Sequence, residues 1–87
     1  MIDYQDIYNK FEENVLRKIN FDNMNKILTF LSNNNVKYLE DIVNNYIDIF
    51  IIDYEEFVNK YNELNIEYNN ELYKKINDNI ETLELFL

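Results

Sequence analysis

The sequence predicts an all-α protein: a compact bundle of four to five short amphipathic helices, forming a single helical domain over residues 1–87. Three observations carry that reading. Apolar residues recur at three- and four-residue spacing almost from end to end. There is no Gly and no Pro, so tight hairpins are hard to build. The one stretch dense in β-branched residues, Ile47 to Ile52, has no second strand to pair with. At 87 residues, 47% apolar and 16% aromatic, the chain can fill one small core and is too apolar for a disordered tail.

The elements follow in order. In the first segment Tyr4, Ile7, Tyr8, Phe11, Val15, Leu16 and Ile19 share a helical face, and Asp3 is placed to cap it. Asp22 is the expected cap of a second helix with Met24, Ile27, Leu28 and Leu31 inward. Asn33-Asn34-Asn35 ends it, because Asn tolerates the left-handed conformation best once Gly is absent. A third helix carries Leu39, Ile42, Val43, Tyr46, Ile47 and Phe50 and runs into a buried connection. Asp53-Tyr54-Glu55-Glu56 starts a fourth as a near capping box, with Ile52 and Phe57 placed as a hydrophobic staple. Phe57, Val58, Tyr61, Leu64 and Tyr68 continue it. Asn69-Asn70 marks a break before a last stripe of Leu72, Ile76, Ile80, Leu83 and Leu87.

Composition removes whole classes of chemistry. Cys, His and Trp are absent, as is Ala, so Cys/His zinc sites, disulfides, thiol nucleophiles and imidazole catalysis are excluded. Phosphate-binding glycine loops are excluded with them. Thr29, Ser32 and Thr82 are the only aliphatic hydroxyls, and no imidazole activates them. Adjacent carboxylates such as Glu12 and Glu13 or Glu55 and Glu56 do not face one another on a helix. Asp22 to Asn25 and Asn77 to Asn79 echo an EF-hand start but lack its sixth-position Gly and its ligand series. Capping and turn formation explain both stretches more simply. The expectation is a protein that is not an enzyme, with no catalytic, cofactor-binding or metal-binding residues and no cofactor. Asn, at 17 residues, accompanies abundant Ile, Tyr, Lys and Phe, the set that A+T-rich codons supply.

Charge is the feature above background. Seventeen acids against eight bases give −9. Residues 1–39 hold five of each sign, so the whole excess lies in residues 40–87, with nine acids and one lysine between Glu40 and Glu71. Glu40, Asn44 and Asp48 step by four on the third helix; Glu56, Lys60, Glu63 and Glu67 form a stripe on the fourth, with Glu71 beyond. Carboxylates four apart lie about 6 Å apart along a helix axis, of the order of the phosphate spacing along a nucleic-acid strand. Like charges at that spacing repel by a few tenths of a kcal/mol per pair. Tyr54, Tyr61 and Tyr68, seven apart, lie on one side of the fourth helix, as core packing or as interface anchors beside the acids. The candidate partner-binding set is Glu40, Asp41, Asp48, Glu55, Glu56, Glu63, Glu67, Glu71, Tyr54, Tyr61 and Tyr68.

Such a chain repels free nucleic acid and anionic membranes, so neither is an expected partner; a basic protein surface, as on a nucleic-acid-binding protein, is its complement. The leading expectation is an acidic inhibitor or decoy, a nucleic-acid mimic that occupies such a surface. In size and charge alone the chain is similar to the small acidic proteins that phage and mobile elements direct against host defence nucleases, anti-CRISPR proteins among them. An antitoxin or immunity protein for a basic toxin has the same physics. The alternative is a structural or assembly module that pairs through its Tyr and Leu stripes, as a homodimer or with a partner helix. Met1 to Tyr4 lacks a basic signal-peptide start, and the most apolar stretch contains Asp48, so the expected location is cytoplasmic.

Overall fold

A computed structural model describes residues 20–87; the first predicted helix, with Asp3 and the stripe from Tyr4 to Ile19, lies outside the described residues. Those described form α1 (Phe21–Asn33), α2 (Leu39–Asn45), a 3-10 helix η1 (Ile47–Ile51), α3 (Tyr54–Glu67), α4 (Leu72–Asp78) and a second 3-10 helix η2 (Ile80–Phe86), with no strand among them. The architecture is the small helical bundle that the sequence predicts. α1 is central and packs against α2, η1 and α3, while α3 packs against α4 and η2. Met24, Ile27, Leu28 and Leu31 of α1 meet Ile42, Ile49, Phe50, Phe57, Tyr61, Leu72, Ile76 and Leu83 in one core cluster. Phe30 sets its ring edge-on to Phe57 and Tyr61, and Phe86 stacks on Phe57 at 4.7 Å between centroids.

The helix ends show what replaces glycine. At the end of α1, Asn35 has φ 66°, its N–H donates to Ser32 O, and the next N–H, of Val36, donates to Leu31 O. That is a Schellman motif with Asn in the left-handed position, closed by the buried Val36. α3 ends the same way. Asn69 and Asn70 have φ 56° and 63°, with Asn69 N–H donating to Ile66 O and Asn70 N–H to Asn65 O. The breaks expected at Asn33-Asn34-Asn35 and at Asn69-Asn70 are both present. The Asn65 side chain then accepts from Leu72 N–H and opens α4.

Asparagine also joins elements distant in sequence. Asn23 donates both amide hydrogens, to Phe50 O at 3.1 Å and to Ile52 O at 2.8 Å, and accepts from Tyr54 N–H at 2.8 Å. Asn77 accepts from Lys37 N–H at 2.8 Å and donates to Asn35 O at 3.0 Å, tying α4 to the α1–α2 loop. In the two stretches that echo an EF-hand, Asn23 and Asn77 therefore spend their side-chain amides on the backbone of other segments.

Four boundaries differ from the sequence expectation. Asn20, not Asp22, caps α1: its Oδ1 accepts from Asn23 N–H at 3.0 Å, leaving Asp22 in the first turn facing the positive end of the helix dipole. The third helix stops at Asn45, and Ile47–Ile51 continues as 3-10 turns. The break lets Ile49 and Phe50 both turn inward against α1 while Ile51 faces out. Asp53 caps α3 through Glu55 N–H, but exposed Glu56 makes no return bond, so half of the capping box forms; Ile52 and Phe57 both pack on the core as a staple requires. In the last element Phe86, not Leu87, enters the core, at 9% against 62% exposure. A 3-10 helix repeats every three residues, so Ile80, Leu83 and Phe86 share a face and Leu87 falls off it.

Two predictions follow from this packing. Asn23→Ala removes three hydrogen bonds and should lower unfolding stability by about 2–3 kcal/mol in urea titration. Asn23→Asp should not rescue it, because a carboxylate retains the acceptor and faces two carbonyls it cannot bond. Phe86→Ala should cost about 3 kcal/mol or more, whereas Leu87→Ala should stay within about 0.5 kcal/mol; equal losses would mean that the last turn is α-helical.

Candidate functional site

Among the described residues no three His, Cys, Asp or Glu side chains converge as a metal site needs, and no buried side-chain polar atom lacks a partner. The candidate site is therefore a surface. All eight carboxylates of the predicted set are exposed, but their local roles differ. Glu40 and Asp41 occupy the first turn of α2, and Glu55 and Glu56 the first turn of α3, where the positive end of the helix dipole stabilises them. Asp48 lies on η1. Glu71 precedes α4 and pairs with Lys74 at 3.5 Å, both side chains more than half exposed, a contact worth little in water.

Glu63 and Glu67 have no such local reason. They sit on the last two turns of α3, toward the negative end of the dipole, and no basic residue lies in its last turn. Among the described residues neither makes an ion pair, not even with Lys60 one turn before Glu63. Each carboxylate there works against the dipole by about 0.3–1 kcal/mol, and the two repel at i,i+4.

α3 brings Glu56, Lys60, Glu63 and Glu67 onto one flank of its buried face, as the spacing predicts. Glu40, Asp41 and Asp48 belong to α2 and η1. Those elements and α3 pack principally on α1 rather than α2 on α3, so the acids form two groups.

The tyrosine stripe divides as well. Tyr61 is 2% exposed, its ring edge-on to Phe30 at 5.0 Å, and it is core. Tyr54 and Tyr68 pack on that core while remaining half-buried. Lys26 Nζ lies 6.0 Å over the Tyr54 ring, whose open side borders a groove with Asn25, Thr29 and Asn33 of α1. That side of α3 is opposite the acidic flank. The surface that the stripe offers is limited to the edges of Tyr54 and Tyr68.

Sequence reasoning missed Tyr46. It stands half-buried between α2 and η1, and its hydroxyl is held above the usual range first by burial, then by the carboxylates of Glu84 and Glu81. Those two acids, outside the predicted set, add charge from η2. The helical spacing of Tyr46 marked it as core; only the return of η2 sets it beside acids. Tyr61 is raised too, by burial first and then by Tyr73.

Comparison of the chain with protein-family models, curated proteins and solved structures finds no match.

The tyrosine shifts fix an alkaline limit. A phenol whose folded-state value is raised stabilises the fold fully below its unfolded value, near pH 10, and that stability is lost as pH rises through the folded value. Urea midpoints should therefore decline above about pH 10. Glu84→Gln should bring Tyr46 ionisation, followed by phenolate absorbance, to lower pH; an unchanged titration would place Glu84 away from that hydroxyl.

Proposed function

We propose that the protein is an acidic protein-binding inhibitor or decoy whose α3 flank occupies a basic, nucleic-acid-binding surface of a partner protein. The observation that carries this is the placement of Glu63 and Glu67: exposed, without ion pairs among the described residues, and set against the helix dipole. A sequence under selection for stability alone gains by replacing either one. A positive partner surface reverses the sign of that energy, speeds encounter and sets register. Glu56 extends the flank by two turns, and Glu40, Asp41, Asp48, Glu55 and Glu71 reinforce the field. Phage or mobile-element anti-defence proteins, including anti-CRISPR proteins, are the most concrete form of this reading, acting in the cytoplasm. No described helix is long and apolar enough to cross a membrane.

A second reading, an assembly module, draws on Ile66, which is 74% exposed on the outer side of α3, and on exposed Leu85 and Leu87. Salt separates the two: an electrostatic complex weakens as ionic strength rises, and an apolar one persists.

The test is affinity capture from a lysate of the source organism with salt-gradient elution, using the native chain and the triple variant Glu56→Gln, Glu63→Gln, Glu67→Gln. A basic protein released at moderate salt, displaced by added DNA or RNA, and retained at least about tenfold more weakly by the triple variant is expected, roughly 1.4 kcal/mol of binding. Equal retention by the variant, folded by circular dichroism, would end the acidic-flank reading.

A further inference from the structure

Ile66 is a feature of α3 that neither the core nor the charge of the helix explains. It is the most exposed of the large hydrophobic residues described, at 74%, and every other apolar residue of α3 is buried or half-buried. Its neighbours on the helix surface, Asn59, Asn62 and Glu63, are exposed and polar. A branched aliphatic chain in solvent does nothing for the helix itself, since isoleucine is a poorer helix former than the leucine or lysine that could stand there. The backbone that carries it is nevertheless fixed. Ile66 O accepts from Asn69 N–H at 3.2 Å. Asn65, the residue before, accepts from Asn70 N–H through its carbonyl and from Leu72 N–H through its side chain. α3 therefore holds Ile66 out from a turn tied to α4, and a side chain so placed loses less freedom on binding than one on a loose segment.

We propose that Ile66 is the specificity anchor of the acidic flank: it enters an apolar socket within the basic surface of the partner protein, and cations at the rim of that socket meet Glu63 and Glu67. The inference rests on the decoy reading above and adds what charge alone lacks. Carboxylates attract any basic surface, whereas an aliphatic group among them disfavours a surface that keeps lysine, arginine or bound water at that point. An apolar side chain ringed by polar ones that close over it is the arrangement of an interface anchor. Charge selects the occupant. Glu63 lies one turn before Ile66 on the same side, Glu67 continues the flank one turn further, and neither makes an ion pair among the described residues. The one cation of α3, Lys60, lies about 9 Å back along the axis. A second copy of the chain is disfavoured, because a twofold contact through Ile66 sets Glu63 and Glu67 of each chain against the same pair of the other.

The test uses two capped peptides of equal charge, acetyl-Lys-Leu-Lys-Lys-Leu-Lys-amide and acetyl-Lys-Ser-Lys-Lys-Ser-Lys-amide, with amide chemical shifts as the readout. Each is titrated to about 5 mM, for a millimolar affinity. The leucine peptide should bind about threefold more tightly and shift Asn62, Glu63, Ile66 and Glu67 most. Ile66→Asn should bring it to the affinity of the serine peptide, with Tm within about 4 °C of the native value. The triple variant Glu56→Gln, Glu63→Gln, Glu67→Gln should weaken both peptides at least about threefold. Equal binding of the two peptides by the native chain, with both weakened by the triple variant, would overturn the anchor and leave the acidic flank standing. Binding that the triple variant does not weaken, or no binding of either peptide, would overturn the flank and the anchor together. A larger fall in Tm for Ile66→Asn would assign the side chain to the fold, and shifts of Ile66 that depend on protein concentration without peptide would assign it to self-pairing; either overturns the proposal.

Discussion

One amide decides how the middle of this chain is arranged. Between α2 and α3 the backbone leaves a helix, makes two 3-10 turns and starts another helix within nine residues. That passage leaves the carbonyls of Phe50 and Ile52 and the first N–H of α3 part-buried at the edge of the core, outside any helical ladder. Asn23 meets all three with its two donors and its oxygen. Because Asn23 is itself fixed in the first turn of α1, the same bonds set η1 and α3 against the central helix. The inward turn of Ile49 and Phe50, and the register in which Phe57 and Tyr61 reach Phe30, depend on that junction.

The same residue type solves the problem that the absence of glycine poses. A helix end needs a residue that tolerates positive φ and something to bond the last carbonyls. Asn35, Asn69 and Asn70 supply the first; Asn34 and Asn45 donate to Phe30 O and Asp41 O and supply the second. Tyr38 is the exception, at the N-cap of α2 rather than just past the C-terminus of a helix.

Charge is arranged with comparable economy. Acids at the starts of α2 and α3 stabilise the helices that bear them, and Glu71 has its lysine. Glu63 and Glu67 make no ion pair among the described residues and lie toward the negative end of their helix, and that residue-level asymmetry says more than the net charge does.

By itself the sequence determined the fold class, the apolar faces of α1 and α3, the two asparagine breaks and the Asp53 cap. Each depends on residues within one helical turn of one another, where spacing and capping chemistry act directly. It also determined which acids a solvent-facing stripe would contain, because helical geometry sorts positions four apart without reference to the rest of the chain. Tertiary structure decided the rest. The third helix breaks at Asn45 because Ile49 and Phe50 both find room against α1, and Phe86 displaces Leu87 because stacking on Phe57 favours a three-residue repeat. Asparagines that composition alone attributes to codon usage become cross-links only when Phe50, Ile52 and Tyr54, 27 to 31 residues away, are brought to Asn23. A side-chain amide carries no periodicity, so its long-range partner is invisible until the backbone groups that need it are in place.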